Sequence, residues 1–241
     1  MRTVAFIFLC IFFSPGTNAQ TAKSKLVITP LTGNFYVYTT FGTVNGAPYP
    51  ANGMYVITKA GVVIFDTPWD TTQFQPLVDS IRVRHNKKVV MCISTHFHDD
   101  RTAGLTYYKK MGIKTYTTQR TDELSRAQNK PRAEFLIAND TTFHVGGDAF
   151  QTYFPGHGHA PDNIVIWFGK EKVLYGGCLI KSASDENLGN LGDADVKNYQ
   201  QAIRNVMREC QDPKFIITGH KDWTDTRSLQ HTLDMAIQAA K

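Results

Sequence analysis

Apolar and polar residues alternate through the first part of the chain. KLVIT (25–29), NFYVYTTF (34–41), MYVIT (54–58) and VVIFDT (62–67) are β-branched or period-two runs that predict strands, the last two joined by a hairpin turn through Lys59-Ala60-Gly61. Between them, residues 39–53 (TTFGTVNGAPYPANG) are rich in Gly, Pro and Thr and carry aromatics, which predicts a mobile flap. The pattern then changes period. Residues 67–85 put Leu77 and Ile81 on one helical face behind Thr and Asp capping residues, and KKVVMCIST (87–95) returns to a buried-type strand.

The second half has the same grammar. TTFHV and AFQTYF are strands, IVIWF and VLYGG form a hairpin-like pair, residues 195–210 are a helix, KFIIT is a strand and residues 226–240 a last helix. Each half thus supplies strands and then helices with one apolar side. Two sheets packed face to face with helices outside is the layered solution, so the expected fold is α/β, a four-layer αβ/βα sandwich.

Composition keeps this picture and narrows it. The chain has 241 residues, 42% hydrophobic and 20% charged, enough for one globular domain. Residues 1–19 differ: a basic head, an apolar run VAFIFLCIFF and a small-residue end at Ala19 predict a secretory signal peptide, leaving 20–241 as a single exported domain. No later segment reaches the roughly 18 apolar residues of a transmembrane helix. The formal charge of +5 falls to +4 when Arg2 leaves, and the Lys and Arg residues are scattered, so nucleic acid is excluded as a partner. Cys10 also leaves, and an odd set of Cys92, Cys178 and Cys210 argues against a disulfide framework. Cys92 and Cys210 lie in apolar settings and are expected to pack as buried thiols.

The candidate chemistry sits where strands end. STHFHDDR (94–101) places His96, His98 and Asp100 in one extended register after an apolar strand. PGHGHAPDNIV holds His157 and His159 in a glycine-rich turn, LYGGCLIKS ends a strand at Cys178, and FIITGHKDW ends another at His220. Imidazole, thiolate and carboxylate are the zinc ligands, and four separate strand ends finishing in them point to a metal site.

The set HFHDD, GHAPDN, GGCLIKS, LGNLGDA and GHKDW resembles the metallo-β-lactamases, the zinc-dependent class B enzymes, and within them the subclass (B-one) with a cysteine in its second zinc site. TPWD (67–70) and HTLDMA (231–236) fit the resemblance, which covers nearly all of the mature chain. The wider superfamily usually has His after the Asp of H-x-H-x-D. Here Arg101 stands there, and Cys178 takes the vacancy.

The resemblance implies two zinc ions per chain: the first held by His96, His98 and His159, with His157 a competitor for the last role, and the second by Asp100, Cys178 and His220. Ala160 stands where many relatives have Thr or Ser, so an outer hydrogen bond of the family is expected to be missing or replaced by water. It further implies hydrolysis of the lactam amide of penicillins, cephalosporins and carbapenems by a zinc-activated hydroxide, and hence antibiotic resistance. Asp100 would orient the hydroxide, Asn190 would polarise the carbonyl oxygen and Lys181 would meet the substrate carboxylate. Trp69 either covers the substituents of a bound drug or packs beside the metal loops. Arg101 either orients Asp100 and Cys178 or makes a plain surface ion pair. Periplasmic location and a monomer complete the expectation. The rivals are another hydrolase of the same fold and an exported zinc-sequestering protein; Lys181 and Asn190 discriminate against the second.

Overall fold

The computed structural model describes residues 26–241, so the signal-peptide segment 1–19 lies outside the described residues. A meander opens the chain: β1 (Val27–Thr32), β2 (Phe35–Val44), β3 (Ala47–Thr58) and β4 (Gly61–Phe65) pair in turn, all antiparallel. Three parallel strands follow, β5 (Val89–Ile93), β6 (Lys114–Thr118) and β7 (Phe135–Ile137), giving a seven-stranded sheet in sequential order. Parallel neighbours require crossovers. These carry α1 (Phe74–His85), α2 (Asp99–Thr102), α3 (Leu105–Lys110) and α4 (Gln119–Ala127).

The second sheet holds β8 (Thr141–Val145), β9 (Asp148–Tyr153), β10 (Val165–Phe168), β11 (Val173–Gly177) and β12 (Phe215–Thr218), antiparallel except for the β11–β12 pair. Between β11 and β12 runs α5 (Val196–Glu209), and α6 (Ser228–Ala239) ends the chain.

Period-two side chains make the layers. In β4, Val63 and Phe65 face inward, where they meet Phe150, Ile166, Phe168 and Tyr175 of the second sheet. Val62 and Ile64 face the other way, onto Leu77 and Ile81 of α1 and Tyr108 of α3. On the far side Leu174 and Ile216 bury against Tyr199 and Ile203 of α5 and Leu233 of α6. Three apolar layers between four structural ones are the αβ/βα sandwich expected from the pattern.

Three differences from the pattern have physical reasons. Strand pairing runs through the stretch 39–53, so the flap region is a hairpin: β2 and β3 stay paired out to Val44 and Ala47, and Asn45 and Gly46 take positive φ in a two-residue turn. Helix α1 begins at Phe74, after a 3₁₀ turn over Thr71–Gln73 whose start is capped by the Asp70 carboxylate accepting from the Thr72 N–H at 2.7 Å. Residues 99–137 add α2, α3, β6, α4 and β7, which the hydrophobic pattern does not announce. The buried positions of β6 and α4 are Thr115, Thr117, Thr118, Thr121, Asp122 and Ser125, so there is no apolar period to read.

Candidate metal centre

The parallel strand β5 and the ends of β11 and β12 all deliver their C-terminal loops to one edge of the sandwich. After β5 the chain turns through Ser94 and Thr95 into His96, and His98 precedes α2, which brings Asp100 and Arg101 back under the loop. The β9–β10 loop brings His159, β11 ends at Cys178, and β12 ends at Gly219-His220. The last two loops meet backbone to backbone: a Cβ at Gly219 would lie 2.6 Å from the Cys178 nitrogen, so the approach requires glycine there.

The side chains converge in two trios. One ligand atom each of His96, His98 and His159 lie within 4.8 Å of one another, as do those of His96, Asp100 and Cys178. His220 joins the second group, its Nε2 lying 3.2 Å from both Cys178 Sγ and Asp100 Oδ2, with Sγ to Oδ2 at 3.3 Å. His157 does not join: its Nε2 donates instead to the Asp193 carbonyl at 2.8 Å.

The outer nitrogens of these rings are also held. His220 Nδ1 donates to the Pro50 carbonyl at 2.8 Å, which leaves Nε2 as the lone pair facing inward. His98 Nε2 bonds Asp193 Oδ2 at 2.9 Å, which leaves Nδ1 inward, 3.2 Å from His96 Nε2. His159 is buried with neither ring nitrogen hydrogen-bonded, an uncompensated cost in a protein interior unless a ligand takes the lone pair.

The charges suit a cation. Burial holds the His96 and His159 imidazoles well below their ordinary value, His98 adding to this at His96 and Lys181 at His159, so both are neutral donors. Burial pushes Asp100 up, but Arg101 and His220 outweigh it and keep the carboxyl well below the usual range. At His220 burial works against a charge, yet Cys178 and Asp100 lift the imidazole to about 9. The same negative field draws a metal ion, which displaces the proton. Neutral imidazoles on one side and carboxylate, sulfur and imidazole on the other form a donor set that fits zinc.

Arg101 is no surface pair: it is 1% exposed and forms a hub behind the second trio. Its guanidinium donates to Asp100 Oδ2 (2.8 and 3.0 Å), the Gly219 carbonyl (2.8 Å), the Asn52 carbonyl (2.6 Å), Tyr175 (3.1 Å) and Asp66 (3.4 Å). Asp66 is buried at positive φ and also accepts from the Thr95 N–H (2.7 Å), Thr95 Oγ1 (3.0 Å) and Tyr175 (2.6 Å). Burial raises Asp66 to about 6, against the pull of Arg101 and Tyr175. Behind His159 the support is neutral. The Asn163 amide accepts from the Gly158 and Ala160 N–H groups and donates to the Gly156 carbonyl, fixing the loop that carries His159.

Sequence reasoning did not single out Asp66, Tyr175, Asn52, Asn163 or Asp193. Asn163 and Asp193 stand inside the motifs GHAPDN and LGNLGDA; Asp66 and Tyr175 lie within strand signals that carry no mark of chemistry.

Above the trios opens a cavity of about 600 Å³. His98, Asp100, His159, Cys178 and His220 form part of its lining. Lys181 and Asn190 line it too, Lys181 nearly buried and Asn190 exposed on the 186–194 loop. Trp69 packs beside the metal loops, with ring centroids 6.3 Å apart from His220 and the hairpin backbone at Gly42 against its face, and it also lines the cavity. Tyr49 and Val44 bring the hairpin to the same wall. Among the described residues all three cysteines are free and buried, and no helix is long and apolar enough to cross a membrane.

Comparison with known proteins gives a consistent result. Residues 46–220 match the family described as the metallo-beta-lactamase superfamily. A metallo-beta-lactamase type 2 of Elizabethkingia meningoseptica is 47% identical over 221 residues, 91% of this chain and 89% of that protein. Metallo-beta-lactamase IND-1 of Chryseobacterium indologenes is 38% identical over 234 residues, 97% of this chain and 98% of that protein. The crystal structure of metallo-beta-lactamase IND-7 superposes with a TM-score of 0.85 at 40% identity, over 88% of this chain and 98% of that one.

Proposed function

We infer the activity from one premise: this chain belongs to the metallo-beta-lactamase superfamily. It is a zinc-dependent β-lactamase that hydrolyses the lactam amide of β-lactam antibiotics and so confers resistance. The observation that carries this reading is the convergence of six donors from four strand ends beneath one cavity whose wall holds a nearly buried lysine.

Our finer reading is subclass B-one with two zinc ions. His96, His98 and His159 hold the first and Asp100, Cys178 and His220 the second; Arg101 after Asp100 and a cysteine at 178 support it. Bound zinc supplies a Lewis acid that polarises a carbonyl and lowers the pKa of water toward about 7.

The chain's own groups do the rest. Asp100, kept ionised by Arg101 and His220, accepts a hydrogen bond from the attacking water and fixes its direction. Burial lowers the Lys181 ammonium, while Cys178, Asp185 and Asp100 act to hold it up. A desolvated cation of this kind pairs strongly with an arriving carboxylate, which every β-lactam drug of these classes presents. The Asn190 amide meets the lactam oxygen as charge develops there. Trp69, Tyr49 and Val44 give the substituents an apolar wall.

We further propose residues 20–241 as one catalytic domain, exported to the periplasm after cleavage at Ala19, and acting as a monomer.

The test is turnover of a carbapenem and a cephalosporin by residues 20–241, before and after EDTA and then with zinc restored. Activity that EDTA abolishes and zinc rescues is expected. A protein that binds zinc and opens no β-lactam would leave the ligand trios standing and overturn the substrate, favouring another hydrolase of the fold or a sequestering protein.

A further inference from the structure

The glycine-rich turn PGHGHAPDN carries two imidazoles, and the metal cluster uses one. We propose that His157 is a positioning residue: it latches the 186–194 loop to the rigid His159 turn, and through that loop sets the pose of Asp193 behind His98 and of Asn190 over the cavity.

The geometry runs in one direction, from a fixed post to a loose loop. Asn163 accepts from the Gly158 and Ala160 N–H groups (3.2 and 2.9 Å) and donates to the Gly156 carbonyl (2.9 Å), so the backbone on both sides of His157 is pinned by one buried amide. The loop it faces is otherwise weakly held. Leu188 is its buried anchor, Asn187, Gly189, Asn190, Leu191, Gly192 and Asp193 are exposed, and its internal bonds are local: Gly189 N to Asn187, Gly192 N to Asn190, Ala194 N to Leu191.

Three bonds tie the far end of this loop down. His157 Nε2 donates to the Asp193 carbonyl at 2.8 Å, the Asp195 N–H donates to the Gly158 carbonyl at 2.9 Å, and Asp193 Oδ2 bonds His98 Nε2 at 2.9 Å. The first two fix the backbone of the residue whose carboxylate makes the third. Without the His157 bond, the Asp193 carbonyl faces solvent and its carboxylate loses one of the two constraints that aim it at His98. An outer hydrogen bond of this kind orients the ring and makes its inner nitrogen a better donor.

The bond needs only a proton on Nε2, which either the neutral tautomer or the cation provides, so the latch does not depend on the charge of the ring. That permits a clean substitution. Phenylalanine keeps the ring and removes the donor; glutamine keeps a donor at the reach of Nε2.

The experiment compares His157→Phe and His157→Gln with the parent chain, by amide exchange at Ala194 and Asp195 and by zinc competition against a chromophoric chelator. The competition is run in a Cys178→Ala background, which leaves the three-imidazole trio as the stronger site. His157→Phe is expected to speed exchange at Asp195 and to weaken zinc binding by about 3-fold to 10-fold, below the 10-fold to 100-fold typical of a residue directly behind a ligand. In the cysteine-containing enzyme the same change raises KM for a β-lactam several-fold and alters kcat less, because Asn190 loses its fixed pose. His157→Gln restores each value to within about two-fold. Exchange and zinc affinity unchanged in His157→Phe would overturn the latch, as would a Gln variant as impaired as the Phe one. The KM readout alone rests on the proposed activity. If no β-lactam is turned over, that reading fails by itself, while exchange and zinc affinity still decide the role of His157.

Discussion

The two donor trios share His96 as a neighbour and one cavity as a roof, yet they are held in opposite ways. Behind Asp100, Cys178 and His220 lies an ionic hub: a fully buried arginine between two buried carboxylates, with two backbone carbonyls and a tyrosine completing its bonds. Behind His96, His98 and His159 lies neutral amide chemistry, the Asn163 clamp, and an exposed carboxylate at the rim. The difference follows from the ligands. A trio containing a carboxylate and a sulfur carries negative charge that a buried cation must balance, whereas three neutral imidazoles carry no charge that needs a buried counterion.

Two buried carboxylates near the site show what burial does to a carboxyl group. Asp66 and Asp162 are both almost fully buried. Burial raises Asp66 to about 6 against Arg101, Tyr175 and Thr95; burial raises Asp162 to about 7 against Thr121, neighbouring backbone N–H groups and Arg120.

Removing the cation breaks the comparison most severely. Arg101→Met keeps the stem and leaves Asp66 and Asp100 as uncompensated buried charges, with the Asn52 and Gly219 carbonyls each losing a donor. Breaking one partner of a buried ion pair costs about 3–5 kcal/mol. Urea unfolding at an unchanged slope should show a midpoint lowered by that amount divided by the slope. A loss under about 1 kcal/mol would mean that water or rearrangement balances the charges, and the hub would be a minor support.

Asp162→Asn sharpens the comparison by pH. The folded pKa of Asp162, about 7, lies above the ordinary value of 3.8, with burial the main cause and Arg120 the opposing charge. The folded state therefore holds the proton more tightly than the unfolded chain. That contribution is fully present below about pH 4 and is lost as pH rises through about 7. Melting curves of the parent and of Asp162→Asn should diverge between those limits, the parent losing on the order of 2–4 kcal/mol relative to the variant. Titration of the metal ligands is common to both proteins and cancels in the difference. Parallel curves would show that Asp162 finds donors or water in solution and behaves as an ordinary carboxyl.

How far the chain could be read follows the same division. The candidate ligands were legible because ligand types are rare at strand ends and four such ends in one chain stand out, while the preference for His159 over His157 came from the family resemblance. The layers were legible where aliphatic residues alternate, as in VVIF and FIIT. They were silent in 114–127, where threonine, serine and aspartate fill the inward positions and hydrophobic period carries no signal. The supports were illegible for a different reason. Arg101 stood out in sequence only by its place after Asp100, with an orienting role and a surface pair both open; the approach of β3, β11 and β12 from distant parts of the chain is what closes it off from water. In 39–53 the composition hid the strand pairing, although the Asn45-Gly46 pair is itself a hairpin turn signal.

The smallest effect tests whether the rim carboxylate acts by charge or by shape. Asp193→Asn keeps an acceptor oxygen within reach of His98 Nε2 but removes the negative charge. Asp193 is 42% exposed at its side chain, so folding stability should move by less than about 1 kcal/mol. Zinc affinity at the three-imidazole trio should still fall by about 10-fold, because an anion behind an imidazole makes its inner nitrogen a better donor than a neutral amide does. The second trio, whose balancing charge is Arg101, should keep its affinity. A variant that binds zinc as the parent does would show that orientation alone suffices at the first trio. Equal weakening of both trios would show that the two supports, separate in the structure, act as one.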